Sequence, residues 1–407
     1  MNRSRLIGLR DELEQELKGN ILPYWMEHLP DPVHGGFHGH LTYRNRVVAD
    51  APRGAIQNAR ILWTFSAAFR FSPDEKYRAM AKRAYDYILS RFIDGEWGGV
   101  YWELDYLGEV KSSRKQMYAL AFVIYAMAEY HMAFGEDSAL ETATGLFRDI
   151  EAHAFDAARN GYTEALDREW TGLEDLRLSE KDDNESKTMN THLHILEAYA
   201  NLFRIWKEPV LEKALANLIH LFLDIFVDRR RHHLNLFFDD QWNLKSTLVS
   251  FGHDIECSWL LHEAAVILGD PGPVNLTGVV AVDMARESFS GLDRDGGLYY
   301  EYFPAEKRFD TDKHWWPQAE AMVGYFNAYQ LSGEDIFMER ALQSWEFIRE
   351  KLVDREFGEW YWSVNRDGIP QVDKEKAGFW KCPYHNGRAC MEMIRRIDET
   401  INIKQDE

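Results

Sequence analysis

The sequence predicts an all-α protein: an (α/α)6 barrel of about twelve helices, with short β-hairpins in the loops at one end. Three observations carry this expectation. A Gly-led motif of alternating aromatic and polar residues recurs six times at a near-constant interval. Two amphipathic helical patterns separate each copy from the next. An unusual polar and aromatic cluster opens the helix that follows each copy.

The motif appears first as Gly35-Gly36-Phe37-His38-Gly39-His40, then as Gly98-Gly99-Val100-Tyr101-Trp102-Glu103 and Gly161-Tyr162-Thr163-Glu164-Ala165-Leu166. A copy without glycine, His233-Leu234-Asn235-Leu236-Phe237-Phe238, is followed by Gly296-Gly297-Leu298-Tyr299-Tyr300-Glu301 and Gly358-Glu359-Trp360-Tyr361-Trp362. Anchored at residues 35, 98, 161, 233, 296 and 358, the intervals are 63, 63, 72, 63 and 62. Alternation bounded by glycine reads as a short strand or hairpin. A fixed period of this kind means one supersecondary unit repeated.

Between the motifs the apolar spacing is helical, as in Ile61 to Phe71 and Asp74 to Phe92, or Tyr118 to Phe134 and Ser138 to His153. Leu6, Leu9, Leu13 and Leu17 give the N-terminal segment the same spacing, with charges between them. It has neither the apolar core of a signal peptide nor the length of a membrane span. Six helix–helix–hairpin units stack into an open solenoid or close into a ring. Closure is favoured, because no polar capping repeats stand at the ends and the unusual clusters share one phase of the period. The expectation is a single barrel domain over residues 1–407. The 72-residue interval carries a polar insertion, Asp167 to Lys187, and long loops in compact domains are often functional.

The net charge of −20 argues against nucleic acid and anionic membranes as partners. Fourteen tryptophans suit sugar stacking, although core packing must claim most of them. Three cysteines, Cys257, Cys382 and Cys390, form no CxxC pair and read as reduced thiols of a cytoplasmic protein.

The helix-opening clusters are Gln57-Asn58-Ala59-Arg60, Lys115-Gln116-Met117-Tyr118, Asn190-Thr191-His192-Leu193-His194, Phe251-Gly252-His253-Asp254-Ile255-Glu256, His314-Trp315-Trp316-Pro317-Gln318-Ala319-Glu320 and Trp380-Lys381-Cys382-Pro383-Tyr384-His385-Asn386-Gly387-Arg388. In a closed ring all six meet at one end, where helix N-termini favour oxygen-rich ligands and developing negative charge. Arg60 precedes Ile61-Leu62-Trp63, so its helix is buried and the arginine needs partners. Tyr118 serves equally well as a core tyrosine. His192 and His194, two apart, face different ways, one to the core and one to the pocket. His253 and Glu256, at i and i+3, are placed to touch, as a structural or a functional pair. One of Trp315 and Trp316 belongs to the core, and Trp380 beside Pro383 reads equally as a packing anchor. Three histidine sites at one phase are harder to assign to packing, since packing residues repeat from copy to copy and these differ.

There is no GxGxxG, GxxxxGK[ST] or HExxH, and the histidine spacing is poor for a helical metal site. The set fits proton transfer. Two histidines on opposite faces of an open-chain aldose can take a proton α to the carbonyl and return one on the other side. Arg60 and His194 would hold the oxygens of the intermediate enediolate.

The segments Asn190–His194, Ser250–Glu256 and Trp380–Arg388, with Asn58–Trp63 and Trp315–Ala321, resemble the cellobiose 2-epimerases of the N-acylglucosamine 2-epimerase superfamily. They match in order across nearly the whole chain. The resemblance implies an (α/α)6 barrel and reversible epimerisation at C2 of the reducing-end glucose of cellobiose, lactose and related β-1,4 disaccharides. It implies His253 and His385 as the acid/base pair, with His194 and Arg60 on the C1 and C2 oxygens and Asn190 alongside. Glu256 would orient a catalytic histidine, Trp316 and Trp380 would stack on the sugar rings, and Tyr118 and Glu320 would complete the substrate site. Asp182, in the long loop, would reach the non-reducing sugar. No metal and no cofactor are expected, and the protein is expected to act on its disaccharide as a monomer or weak homodimer. The rivals are an aldose–ketose isomerase or an acylglucosamine or mannose 2-epimerase on the same fold, a glycoside hydrolase using Asp254, Glu256 or Glu320, and a carbohydrate-binding protein without activity.

Overall fold

A computed structural model describes residues 3–406. Six outer helices alternate along the chain with six inner ones. The outer set is α1 (residues 3–28, with a π turn at Leu17–Ile21), α3 (Glu75–Tyr87), α5 (Asp137–His153), α7 (Pro209–Leu221), α9 (Pro271–Glu287) and α11 (Asp335–Phe347). The inner set is α2 (Ala55–Phe71), α4 (Met117–Phe134), α6 (Met189–Phe203), α8 (Phe251–Leu268), α10 (Trp315–Ser332) and α12 (Tyr384–Asp406). Each inner helix packs on the next, and α12 packs on α2, so the ring closes as an (α/α)6 barrel. The two chain ends meet where α1 covers α12.

Composition sets which helix goes where. In α4 every residue from Met117 to Tyr130 is buried, because an inner helix has neighbours on all sides. That accounts for a helix apolar and long enough to cross a membrane lying inside the ring. In α3 burial is confined to Tyr77, Met80, Ala81, Ala84, Tyr85 and Tyr87, one stripe facing inward. Asp74 and Asp270 cap α3 and α9 with their side chains, and left-handed Gly135, Gly269 and Gly333 end α4, α8 and α10.

The recurrent motifs close on themselves through little more than one bridge each, such as Ile93↔Val100, Phe155↔Tyr162 and Val353↔Trp360. Their longer pairings run between repeats, which alternation alone does not reveal. The two or three residues before each inner helix pair antiparallel with the next motif: Arg53–Gly54 with Glu103–Leu104, Lys115–Gln116 with Ala165–Leu166, and Lys187–Thr188 with Phe237–Phe238. Val249–Ser250 pairs with Glu301 and Tyr302, Lys313–His314 with Ser363–Val364, and Glu375–Ala377 returns to Leu41–Thr42. This second ring sits at the N-terminal ends of the inner helices. Its turns need left-handed backbone. At Gly161 (φ +82°) an added Cβ would stand 2.5 Å from Trp242 and 3.0 Å from the His192 ring.

Ion pairs fasten the same ring. Lys115 meets Asp94 at 2.9 Å with both side chains fully buried. Lys187–Asp156, Lys313–Asp293 and Lys376–Asp354 repeat the pair at 2.9, 2.8 and 2.5 Å, and Arg53–Asp31 at 2.5 Å is the version of the first repeat. The three cysteines are buried and unpaired.

Candidate active site

The inner helices deliver their side chains at two levels. Tyr118, Asn190, Trp316 and His385 each occupy the second position of an inner helix. Arg60, His194, Glu256 and Glu320 occupy the sixth. Positions four apart lie on one face of a helix, so both levels point down the barrel axis. Together with His253, Trp380 and Asp182, all of these except Glu320 line one cavity of about 260 Å³ at the N-terminal end of the ring.

Four histidines stand on its wall; His314 stacks on Tyr300, and the other three are held through Nδ1. His385 bonds Glu320 at 2.7 Å, His194 bonds Glu197 at 2.9 Å and His253 bonds Ser250 at 2.7 Å. Among the described residues, no group pairs their Nε2 atoms. Burial holds all three below the ordinary imidazole range. His253 lies at about 3, lowered further by the neighbouring histidines, and His385 at about 3 although Glu320 opposes the shift. A neutral ring that donates Nδ1–H to a carboxylate presents a lone pair at Nε2, the form a general base needs. His192 faces the core. Its Nδ1 donates to the Thr188 carbonyl and its Nε2 accepts from Tyr162 N–H.

The partner expected of Glu256 is corrected. It does not bond His253, whose Nδ1 is taken by Ser250, and it lies 3.9 Å from His385. Glu320, expected among the substrate-binding groups, stands behind His385 and accepts from His385 Nδ1, Arg388 Nη2 and Trp259 Nε1. The orienting carboxylate comes from the neighbouring inner helix, α10. Helical spacing alone cannot bring it to notice.

Arg60 donates to the Tyr118 hydroxyl at 2.9 Å and to the Trp380 carbonyl at 3.2 Å, with Phe122 4.3 Å beneath its guanidinium. Asn190 keeps an Oδ1 with no protein partner. Trp316 packs 4.8 Å from His253 and 5.6 Å from His385, and Trp380 edges Tyr118 at 5.9 Å. Trp315 and Trp316 both reach the cavity, Trp315 as the more buried of the two. The long loop leans over the mouth with Leu178, Ser179, Lys181 and Asp182. The Asp182 carboxylate accepts from Ser179 N–H and Oγ.

Sequence reasoning passed over Tyr300, Trp362, His314, Glu197 and Ser250. Tyr300 and Trp362 occupy the position of the recurrent motif that turns toward the axis, and His314 stacks on Tyr300 at 4.0 Å. Their common phase was the available signal. Glu197 lies three residues after His194, the spacing that drew notice at His253 and Glu256.

Glu256, Glu320 and His385 offer ligand atoms that lie within 4.8 Å of one another. The Arg388 guanidinium, however, already stands on both carboxylates. A resident cation thus already occupies the place between them.

The sequence profile of the N-acylglucosamine 2-epimerase (GlcNAc 2-epimerase) family matches residues 35–389. The cellobiose 2-epimerase of Bacteroides fragilis is 50% identical over 95% of this chain and 98% of its own. That of Ruminococcus albus is 40% identical over the same shares. The solved structure of the cellobiose 2-epimerase from Bacillus thermoamylovorans superposes with a TM-score of 0.90 at 39% identity, covering 95% of this chain and 99% of its own.

Proposed function

The chain belongs to the N-acylglucosamine 2-epimerase family and is an epimerase acting on a sugar, and on that premise we propose that it interconverts glucose and mannose at the reducing end of β-1,4-linked disaccharides, cellobiose and lactose among them. The observation that carries the reading is the histidine set: three desolvated imidazoles on one cavity wall, each fixed through Nδ1, with Nε2 atoms unpaired among the described residues. The high identity to relatives named for cellobiose supports the disaccharide.

In this mechanism the open-chain aldose lies between His253 and His385. One neutral histidine takes the proton from C2 and the enediolate forms. The other histidine, protonated, returns a proton to the opposite face. Arg60 and His194 hold the C1 and C2 oxygens as negative charge develops there. Trp316 and Trp380 stack on the two rings, and Asp182 reaches the non-reducing sugar from the loop.

The test is incubation with cellobiose or lactose in deuterated water, for wild type and for His253→Ala and His385→Ala. Deuterium at C2 and a mannose-ended disaccharide are expected from wild type only. A ketose-ended product would make the enzyme an isomerase, and released monosaccharides without C2 label would make it a hydrolase. A fully active His385→Ala would remove that residue from the mechanism.

A further inference from the structure

Three carboxylates from three inner helices converge on one buried guanidinium. Arg388 Nη1 donates to Glu197, and Nη2 donates to Glu320 at 2.7 Å and to Glu256 at 3.0 Å. Were all three ionised, two negative charges would stand in the barrel without a cation in contact. The other charged or titratable groups facing this point are Arg60, His194, His385, Tyr118, Tyr125 and Tyr384, and the three tyrosines are neutral.

Hydrogen bonding separates the three. Glu320 accepts from His385, Arg388 and Trp259, so both its oxygens are served as a carboxylate. Glu197 accepts from Tyr384, Arg388 and His194, again on both oxygens. Glu256 accepts only one arm of Arg388, on Oε1. Its Oε2 has no partner among the described residues, and the residue lines the cavity. Like charges that share one site cannot all ionise, and the least supported group keeps its proton. Burial and the neighbouring Glu320 push Glu256 in the same direction, well above the usual carboxylate range.

We propose that Glu256 is a neutral carboxylic acid in the resting enzyme and the proton donor that opens the sugar ring. The inference rests on the epimerase reading above and adds the step before it. A reducing-end glucose enters as a cyclic hemiacetal, and its C2–H becomes acidic only once C1 is a carbonyl. O1–H gives its proton to a neutral histidine of the site, the C1–O5 bond breaks with its electron pair leaving on O5, and O5 takes the proton from Glu256. C1=O forms, and ring closure on the product reverses each transfer. The neutral histidines hold no proton to spare for O5. Arg60 and Tyr118 are too weakly acidic, and Asp182, the other carboxyl on the wall, is already bonded twice by Ser179. A buried carboxylic acid kept neutral at pH 7 is a competent donor.

The experiment has two arms on the full-length enzyme at pH 7. Infrared difference spectra of wild type against Glu256→Gln should contain the carbonyl band of one protonated carboxylic acid in wild type alone. Polarimetry of freshly dissolved α-lactose should show wild type accelerating mutarotation and Glu256→Gln losing roughly 10²–10⁴-fold of that acceleration, with C2 deuterium exchange falling in step. Absence of the acid band overturns the protonation state. Absence of catalysed mutarotation, or its survival in Glu256→Gln, overturns the role. Catalysed mutarotation with the acid band but no C2 exchange in wild type supports this proposal and overturns the epimerase reading instead.

Discussion

Replacing Glu320 by glutamine tests whether the basicity of His385 is set by the charge behind it. Glu320 Oε1 accepts from His385 Nδ1 and from Arg388 Nη2, and Oε2 accepts from Trp259 Nε1 at 3.0 Å. Glutamine keeps one acceptor oxygen. Set toward His385 and Arg388, its amide nitrogen meets the indole N–H donor against donor. Turned the other way, it meets two donors, so the first orientation wins. One buried indole N–H then lacks a partner, a loss of about 1–3 kcal/mol. Over 407 residues the unfolding entropy is roughly 0.85 kcal/mol/K, so Tm should fall only about 1–4 °C. The kinetic effect should be much larger, because a neutral acceptor no longer raises the basicity of Nε2. Loss of an orienting carboxylate costs between about 10-fold and 10⁴-fold in kcat. KM should barely move, since Glu320 is not on the cavity wall. Burial holds the His385 pKa below 6.5 while Glu320 pulls it upward, so the substitution should also shift the acid limb of the pH profile to lower pH. Calorimetry and initial rates of C2 deuterium exchange read all three effects. Exchange within about threefold of wild type, well short of those losses, would refute the coupling.

Two further outcomes follow from groups away from the cavity. Lys115→Met removes one of two cations on buried Asp94, and Arg168 still bonds both its oxygens, so the cost is that of one charged hydrogen bond, about 1.5–3 kcal/mol. Calorimetry should show a Tm lowered by about 2–4 °C on the same entropy scale, with kcat of the folded enzyme unchanged. His192 is lowered to about 4 by burial, both ring nitrogens being used as a neutral imidazole. Its folded pKa lies below the unfolded value, so the unfolded chain binds the proton first and stability falls as pH drops from about 6.5 to 4. The loss is about 3 kcal/mol. Urea unfolding at pH 7 and pH 4.5 should show His192→Gln losing less stability on acidification than wild type; an equal loss would assign the acid sensitivity elsewhere.

The barrel was legible because its cause is periodic. The interval between motifs, the paired helical patterns and the shared phase of the clusters are all local or repeating signals. The wall of the cavity was legible for the same reason, since Asn190 and His194 lie four residues apart on one helix face. What holds the wall was not. Glu320 and His385 are 65 residues apart, and Arg388 reaches Glu197 across 191. Such pairs arise from which inner helices adjoin or face one another in the ring, and no spacing within a helix encodes that. The i, i+3 relation of His253 and Glu256 pointed to the wrong partner, because Ser250 reaches Nδ1 from the residue before the helix. The Asp–Lys pairs did have a sequence signal, an acid at the turn and a cation 20 to 22 residues later, stretched to 31 across the long loop, but it lay among ordinary surface charges.

The fourth repeat joins these two halves of the account. Five repeats fasten the strand before their inner helix with a cation, and the fourth has Val249 there. Its turn acid, Asp228, pairs instead with Arg231 near the surface. The anchor has moved into the helix itself. Fully buried Asp254 accepts from His233 Nδ1 at 2.7 Å and from Leu234 N–H at 2.8 Å. The helix that carries His253 is therefore gripped at the very next residue, rather than four residues upstream. With the helix fixed there, Ser250 is free to serve the His253 ring. The other two histidines are held by carboxylates and this one by a neutral hydroxyl. The two carriers of the proposed proton relay therefore differ in what holds them, a carboxylate behind His385 and a hydroxyl beside His253.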